Sequence, residues 1–549
     1  MSIGKFATEL EVIVTHGVVE IRGGRVRGVE RSGVWSFSGI PYAAAPVGDR
    51  RWRPPVAPEP WTGIRECNEF GPVAPQTQGF MDQALGGTPG EYSEDCLNLN
   101  VWTPGLDDER RPVMVWIHGG SFMTGTGSSG LYRGGVLSRE GDVVVVTINY
   151  RLGLLGFLAH PVLDEPGQTW LDGRPWSGYG NWGLADQVAA LAWVRDHIAG
   201  FGGDPDQVTL FGESAGGMSV STLLSVPAAA GLFHRAIVES GPPYTCTGEV
   251  AADRAERLAE LLGVACTREG LSSVSADRLL AAGNEFAETA GGVDAGLLLT
   301  PVVDGGLVPL APAEAVSAGS AAGVPLLIGT TRDESTFFAL GSPKVMSLDH
   351  EGLRRWMRRI TPDQEAADGV IATVQAARSE RGEAVEPRDL WSAIATEYVF
   401  RVGSVRFADA HVAAADPGVG TYNYLFTWSS PAFDGILGSC HALEIPFVFG
   451  TLKNPAIQSF SGGGDDAFAL SSAIRHAWTV FARTGVPECE FAGTGTVAWE
   501  QWDAKIRATT VLGPWPHSPG LVHAVQDPRA PELAAVDSLT GPLLGHRSA

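Results

Sequence analysis

The chain has 549 residues, 44% hydrophobic and 18% charged, the proportions of a globular chain and not of a disordered or fibrous one. Its net charge of −23 repels polyanions, which speaks against nucleic acid and anionic membrane surfaces as partners. No run reaches the roughly 18 apolar residues of a membrane span, the opening Met1-Ser2-Ile3-Gly4-Lys5-Phe6-Ala7 lacks the apolar core of a secretion signal, and no Asn-x-Ser/Thr sequon occurs, so a cytoplasmic location is expected.

From Val12 to Val26 apolar residues alternate between glycines, which predicts an N-terminal meander. Val113-Met114-Val115-Trp116-Ile117 predicts a buried strand, and it runs into His118-Gly119-Gly120-Ser121-Phe122. Paired glycines after a strand leave amides free to converge on one point, as the negative oxygen of a tetrahedral acyl intermediate requires. Gly119 and Gly120 are therefore candidate oxyanion donors. The following Gly125-Thr126-Gly127-Ser128-Ser129-Gly130 fits G-x-G-x-x-G, but it does not open a helix directly after a strand, and no dinucleotide site is assigned to it.

Val143 to Ile148 is a continuous apolar, β-branched run, the pattern of a strand buried on both faces. Leu184, Val188, Leu191, Val194 and Ile198 have helical spacing, with Gly200 as a stop. Val208-Thr209-Leu210-Phe211 then predicts a strand that ends in Gly212-Glu213-Ser214-Ala215-Gly216. This is the pattern of a nucleophile elbow, in which a sharp strand-to-helix turn exposes one serine hydroxyl and the flanking glycines let backbone pass close by. Ser214 is the candidate nucleophile, and the Ala215 amide is a third oxyanion donor.

In folds of this kind the acid and the base follow the serine in chain order. Pro325 to Thr331 is a short buried strand that delivers Arg332-Asp333-Glu334-Ser335 at its C-terminal end, where catalytic groups of open α/β sheets collect. Glu334 is the candidate acid, with Asp333 as the alternative. After an extended run from Tyr422 to Trp428, the loop Gly438-Ser439-Cys440-His441-Ala442-Leu443-Glu444 supplies His441 as the candidate general base. Helical patterns dominate between Ala251 and Ala287 and from Glu351 to Ala408, and these segments are expected to wall and cover the site.

The alternation of strand and helix predicts an α/β fold with a largely parallel sheet. The length alone allows three or four domains of about 150 residues. No linker or repeat divides the chain, since the stretches at Gly86–Gly90 and Ser461–Gly464 are too short, and the three candidate residues must meet in one site. A single catalytic domain over residues 1–549 is expected.

Further blocks run in order through the chain: Phe37-Ser38-Gly39-Ile40-Pro41-Tyr42-Ala43, Ser93-Glu94-Asp95-Cys96-Leu97-Asn98-Leu99-Asn100-Val101, Asn149-Tyr150-Arg151-Leu152-Gly153, Gly180-Asn181-Trp182-Gly183-Leu184-Ala185-Asp186-Gln187 and Phe201-Gly202-Gly203-Asp204-Pro205. With these the chain resembles a carboxylesterase of the cholinesterase-type α/β-hydrolase family, nearest to the bacterial para-nitrobenzyl esterases. The resemblance implies an α/β-hydrolase fold with helical lid and gorge insertions. It also implies that Glu334 is the acid and His441 the base, although the glycine that usually follows each is Ser335 and Ala442 here. Glu213 and Ser240 are expected to support the triad, and Arg51 with Glu94 to form a surface ion pair pinning the segment before the oxyanion loop, worth about 0 to 1 kcal/mol. Secreted relatives close a disulfide onto the cysteine matched by Cys96, but the usual partner is missing, since the block reads Gly71-Pro72-Val73-Ala74 and Cys67 lies too early. Cys246 and Cys266 match the positions of a second, short-loop bridge.

No H-E-x-x-H and no paired C-x-x-C occurs, so no metal site and no cofactor is expected. The expected activity is hydrolysis of neutral carboxylic esters, aromatic or of short to medium chain, through an acyl-enzyme. Carbamates and activated amides enter the same first steps and are the alternative. Choline-binding members of the family carry a tryptophan where this chain has Gly86, which argues against choline esters. A non-catalytic binding module of the superfamily is the reading from another class, and the retained Ser214 argues against it.

Overall fold

The computed structural model describes residues 17–78, 90–170, 173–289, 297–491 and 495–539. Among the described residues eleven strands form the central sheet: β1 (Val29–Arg31), β2 (Val34–Pro41), β3 (Asn98–Thr103), β4 (Arg111–Ile117), β5 (Val144–Ile148), β6 (Gly203–Glu213), β7 (Arg235–Glu239), β8 (Leu326–Thr331), β9 (Thr421–Phe426), β10 (Ala508–Leu512) and β11 (Val522–Gln526). Their order across the sheet is β11-β10-β9-β8-β7-β6-β4-β5-β3-β2-β1. From β5 to β10 every neighbouring pair is parallel, and antiparallel strands flank this block on both sides. This is the α/β-hydrolase arrangement expected from the sequence.

Side chains that alternate along each strand divide between two cores. Val113, Val115 and Ile117 of β4 join one apolar layer with Val144, Val146, Ile148 and Ala236, while Met114, Trp116, Val145, Phe211 and Ile237 join the layer on the opposite face. Helix α1 (Trp182–His197) lies in the first layer, and helix α3 (Asp465–Thr484) covers the second with Leu470, Ile474, Trp478 and Phe481. A strand covered on both faces cannot alternate apolar with polar residues, which is why β4 and β5 read as unbroken apolar runs.

The chain steps from β4 to β5 on one side and then returns to place β6 on the other side of β4. Such a reversal opens a crevice beyond the C-terminal ends of the strands, where ligands of open α/β sheets bind. The loop after β4 and the elbow after β6 both open there. Helix α2 (Ala215–Leu223) starts directly after β6 and is buried along its whole length. Helical insertions follow β7 (Gly248–Leu262, Arg268–Ser272 and Ala276–Thr289) and β8 (from Ser335–Leu340 to Val402–Ala414), close to the ranges expected from periodicity. Of the N-terminal meander, strand Val18–Ile21 pairs with Gly24–Arg27, which pairs in turn with Ile64–Glu66; residues 12–16 lie outside the described residues.

Candidate active site

Ser214 has φ 56° and ψ −126°, a conformation that side chains other than glycine rarely adopt. Such strain costs about 1 to 3 kcal/mol and persists only where the surroundings enforce it. They do so here. The Ser214 amide donates to the Glu239 carbonyl at the end of β7 (2.9 Å), and its carbonyl accepts from Met218 (2.7 Å) as the first bond of α2. A Cβ on Gly216 would overlap the Ile117 carbonyl oxygen, so the turn closes against β4 only with glycine at that position.

The loop after β4 lies against this turn. A Cβ on Gly119 would stand 2.8 Å from the Glu213 carbonyl oxygen and 3.0 Å from Ser214 Cβ. Gly120 adopts φ 112°, and its carbonyl accepts from Met123 and Thr124 (both 2.9 Å), which folds the loop back on itself. Gln76 fastens the next turn from both sides, accepting from the Gly125 amide (2.7 Å) and donating to the Gly125 carbonyl (2.8 Å). No described residue accepts from the amides of Gly119, Gly120 or Ala215.

Glu334 follows β8 and is fully buried. One carboxylate oxygen accepts from Ser240 Oγ (2.6 Å) and from the Thr331 amide (2.8 Å), and the other lies 2.5 Å from His441 Nδ1. Asp333, the alternative acid, points elsewhere: it accepts from Arg332 (2.8 Å) and from the Ser439 amide (2.9 Å). Because Nδ1 is engaged by Glu334, the imidazole turns Nε2 toward the elbow, where it stands 3.0 Å from Glu213 Oε1 without hydrogen-bond geometry. The rings of Phe338 and Phe400 lie 5.1 and 4.8 Å from that of His441, with Phe337 at 6.5 Å. Phe337 and Phe338 belong to the helix after Glu334, and Phe400 to a π-helical turn at Glu397–Arg401. The 335–414 insertion thus walls the imidazole, with Phe400 inside the helical range expected from the sequence and Phe337 and Phe338 in a helix that precedes it.

Three more carboxyls lie beneath the triad candidates. Burial, reinforced by the neighbouring carboxylates, pushes Glu213 and Glu444 well above the usual range. Burial raises Glu239 to about 8, although Trp478 Nε1 donates to it at 2.8 Å. Ser240 Oγ reaches Glu444 as well as Glu334, at 3.4 Å. Glu239 and Glu444 went without a role in the sequence reading. Their one signal was an acidic residue at the end of an apolar strand or turn, where a solvated glutamate is out of place. Among the described residues no group of His, Cys, Asp and Glu is arranged to hold a metal ion.

The replaced glycines behave differently from each other. Ser335 begins a helix and needs no special backbone, whereas Ala442 sits at φ 65°, in the left-handed region that glycine occupies without cost. The Arg51–Glu94 pair is not a surface pair. It is bidentate (2.8 and 2.6 Å), its side chains are only 11% and 16% exposed, and Arg51 also donates to the Val274 carbonyl (2.7 Å), tying the pair to the first insertion. All six cysteines, Cys246 and Cys266 included, are free thiols. Gly86 lies outside the described residues.

The model of the carboxylesterase family matches residues 15–513. The para-nitrobenzyl esterase of Bacillus subtilis is 38% identical over 91% of this chain and 95% of its own. The chain belongs to the carboxylesterase family. A phenmedipham hydrolase of Pseudarthrobacter oxydans is 35% identical over 86% of this chain and 91% of its own. Among solved structures, a Geobacillus stearothermophilus carboxylesterase superposes with TM-score 0.78 at 38% identity, covering 94% of this chain and 99% of the other. As a carboxylesterase, the chain is a carboxylic-ester hydrolase of the serine type acting on small-molecule esters.

Proposed function

We propose that Ser214, His441 and Glu334 form the catalytic triad of this carboxylesterase, with Gly119, Gly120 and Ala215 as the oxyanion hole and Glu213 and Ser240 in support. The observation that carries this reading is the Glu334 carboxylate, held by Ser240 and Thr331 on one oxygen and on His441 Nδ1 with the other. A carboxylate so placed fixes the tautomer that leaves Nε2 as the base and stabilises the imidazolium when it forms. His441 takes the Ser214 proton as the hydroxyl attacks the ester carbonyl, and the three amides hold the resulting oxyanion. The same proton passes to the departing alcohol. Water activated by His441 then attacks the acyl-enzyme and releases the acid and Ser214.

The substrates proposed are neutral esters with aromatic or short to medium chain groups. The apolar rings of Phe337, Phe338 and Phe400 beside His441 suit such groups. The likeness to a phenmedipham hydrolase favours a second reading in which carbamates enter the same site. A single catalytic domain belongs to the same proposal, because the candidate residues come from β4, β6, β8 and the loop after β9 of one sheet. So does a cytoplasmic location, which suits a protein with six free thiols.

Labelling with a fluorophosphonate followed by peptide mass spectrometry tests the assignment. One adduct per chain on the peptide that contains Ser214 is the expected result, and a labelled serine elsewhere overturns it. A graded panel of para-nitrophenyl esters and carbamates separates the two substrate readings.

A further inference from the structure

In the loop after β4, the amides assigned to the oxyanion hole are one end of peptide units whose other end is held. The Tyr150 hydroxyl donates to the His118 carbonyl oxygen at 2.8 Å. That oxygen belongs to the same planar unit as the Gly119 N–H, and in a trans peptide the two point in opposite directions. His118 Nδ1 lies 2.8 Å from the Gly119 carbonyl oxygen, which shares its unit with the Gly120 N–H. A carbonyl only accepts, so Nδ1 carries the proton in this contact. The third donor, Ala215, has its partner carbonyl on Ser214, and that one is held by Met218 at the start of α2. The His118 and Tyr150 rings stack on each other, with centroids 4.5 Å apart and planes at 22°, and both residues are buried.

We infer that Tyr150 and His118 are positioning residues that orient and polarise the Gly119 and Gly120 amides of the oxyanion hole through the opposite ends of their peptide units. The inference rests on the oxyanion assignment above and adds to it the side chains that aim those amides. Two effects act together. Holding the oxygen fixes the rotation of the peptide plane, which two adjacent glycines leave otherwise soft. Donating to the oxygen also draws electron density from the nitrogen and makes its N–H a stronger donor, the usual cooperativity of linked hydrogen bonds. Burial brings His118 down to about 4, which keeps the ring neutral at working pH and places no full charge behind the loop. Tyr150 has no other described partner for its hydroxyl, and burial raises it far above its ordinary value, so it stays a donor.

The test compares the wild type with Tyr150→Phe, which removes only the hydroxyl, with His118→Leu, which removes the donor, and with His118→Asn, whose Nδ2 reaches the place of the imidazole Nδ1. Each is titrated to completion with fluorophosphonate so that rates refer to competent serines. The kcat and KM for a para-nitrophenyl ester are then set beside the inhibition constant of a trifluoromethyl ketone, which binds as a tetrahedral oxyanion adduct. Removing a whole oxyanion donor costs about a hundredfold to a thousandfold, so misaiming one is expected to lower kcat about tenfold to a hundredfold. KM should hold within about threefold and the ketone should weaken by the same factor as kcat falls, because the lost interaction exists only with the oxyanion. His118→Asn should recover most of what His118→Leu loses. If Tyr150→Phe and His118→Leu keep kcat per titrated site and ketone affinity within about threefold of the wild type, the inference is wrong. A loss confined to the number of titratable sites also overturns it, since that is the mark of a purely structural role. Should Tyr150→Phe fail to fold, the Leu and Asn variants of His118 decide the matter alone. Failure of the underlying assignment looks different: the wild type itself then takes no fluorophosphonate at Ser214.

Discussion

Asp333 and Ser439 hold each other from both ends, the Asp333 amide donating to the Ser439 carbonyl at 2.9 Å and the Ser439 amide donating to the Asp333 carboxylate at 2.9 Å. The loop that carries Glu334 is thereby fastened to the loop that carries His441, each one or two residues from the contact between those side chains. Thr336 Oγ1 adds a further bond across the same seam, to the Leu437 carbonyl. Arg332 compensates the Asp333 charge directly, and Arg529, only 4% exposed, approaches it from the start of the C-terminal helix at 4.0 Å.

Replacing Asp333 by alanine is therefore expected to loosen the Glu334–His441 contact without touching substrate. The kcat should fall about tenfold with KM little changed, and stability should drop by about 3 kcal/mol, because buried arginine charge loses a partner. Steady-state kinetics and denaturant unfolding check both. Burial alone raises the Asp333 carboxyl, but Arg332 and Arg529 hold it below the ordinary aspartate value of 3.8. A depressed folded value means that its contribution to stability is complete above about pH 4 and is lost as the pH falls through the lower folded value. The difference in stability between wild type and variant should thus be constant from neutral pH down to about 4 and shrink below it.

Ala442 gives a prediction of opposite sign. At φ 65° it sits in the left-handed region, which costs a residue with a Cβ about 1 to 2 kcal/mol relative to glycine. Glycine returns part of that gain through the greater freedom of its unfolded chain. Ala442→Gly is expected to stabilise the protein by about 0 to 1 kcal/mol, read as a raised denaturant midpoint at unchanged slope. A clear loss of stability would mean that the loop around His441 is not left-handed at this residue.

Glu239 should make stability depend on pH above the usual carboxylate range. Burial raises it from 4.5 to about 8, so between those values the folded protein keeps a proton that the unfolded chain releases. That contribution is complete below about pH 4.5 and is lost as the pH rises through about 8. Glu239→Gln keeps an oxygen for the Trp478 indole and has nothing to titrate, so its melting temperature relative to the wild type should climb between pH 5 and 9. A difference that stays flat across that range contradicts a protonated Glu239.

Thiol counting tests the cysteines. Denatured without reductant, the protein should react with an aromatic disulfide reagent at all six cysteines, and a Cys246–Cys266 bridge would leave four. In the native state Cys266, the one cysteine that is not buried, should react first.

Much of this was legible in the sequence, and the reasons are local. β4 and β5 announce themselves because strands covered on both faces must be apolar throughout. The elbow and the paired glycines announce themselves because their backbone geometry admits few residues. Glu334 and His441 were legible as candidates through chain order and family blocks, with Asp333 as an alternative that only the different directions of the two carboxylates argue against. What stayed hidden depends on packing between distant segments. Glutamates read as solvated by default, so burial of Glu239 and Glu444 had no strong signature. The Arg51–Glu94 pair read as a surface contact because its covering segment, near Val274, comes some two hundred residues later. The π-turn that presents Phe400 arises from a shift in backbone hydrogen bonding that no composition encodes. Tyr150 and His118 lay inside recognised blocks, but their contacts with particular carbonyls appear only in three dimensions.

The central claim is tested most directly by hydrolysis of short-chain para-nitrophenyl esters by the wild type and by Ser214→Ala, His441→Gln and Glu334→Gln, at folding matched by circular dichroism. An active wild type is expected, with kcat lowered about a thousandfold or more at Ser214 and His441 and a substantial loss at Glu334 that far exceeds that of Asp333→Asn. Full activity in Ser214→Ala or His441→Gln, or a Glu334→Gln enzyme as fast as the wild type beside a crippled Asp333→Asn, would contradict the triad proposed here.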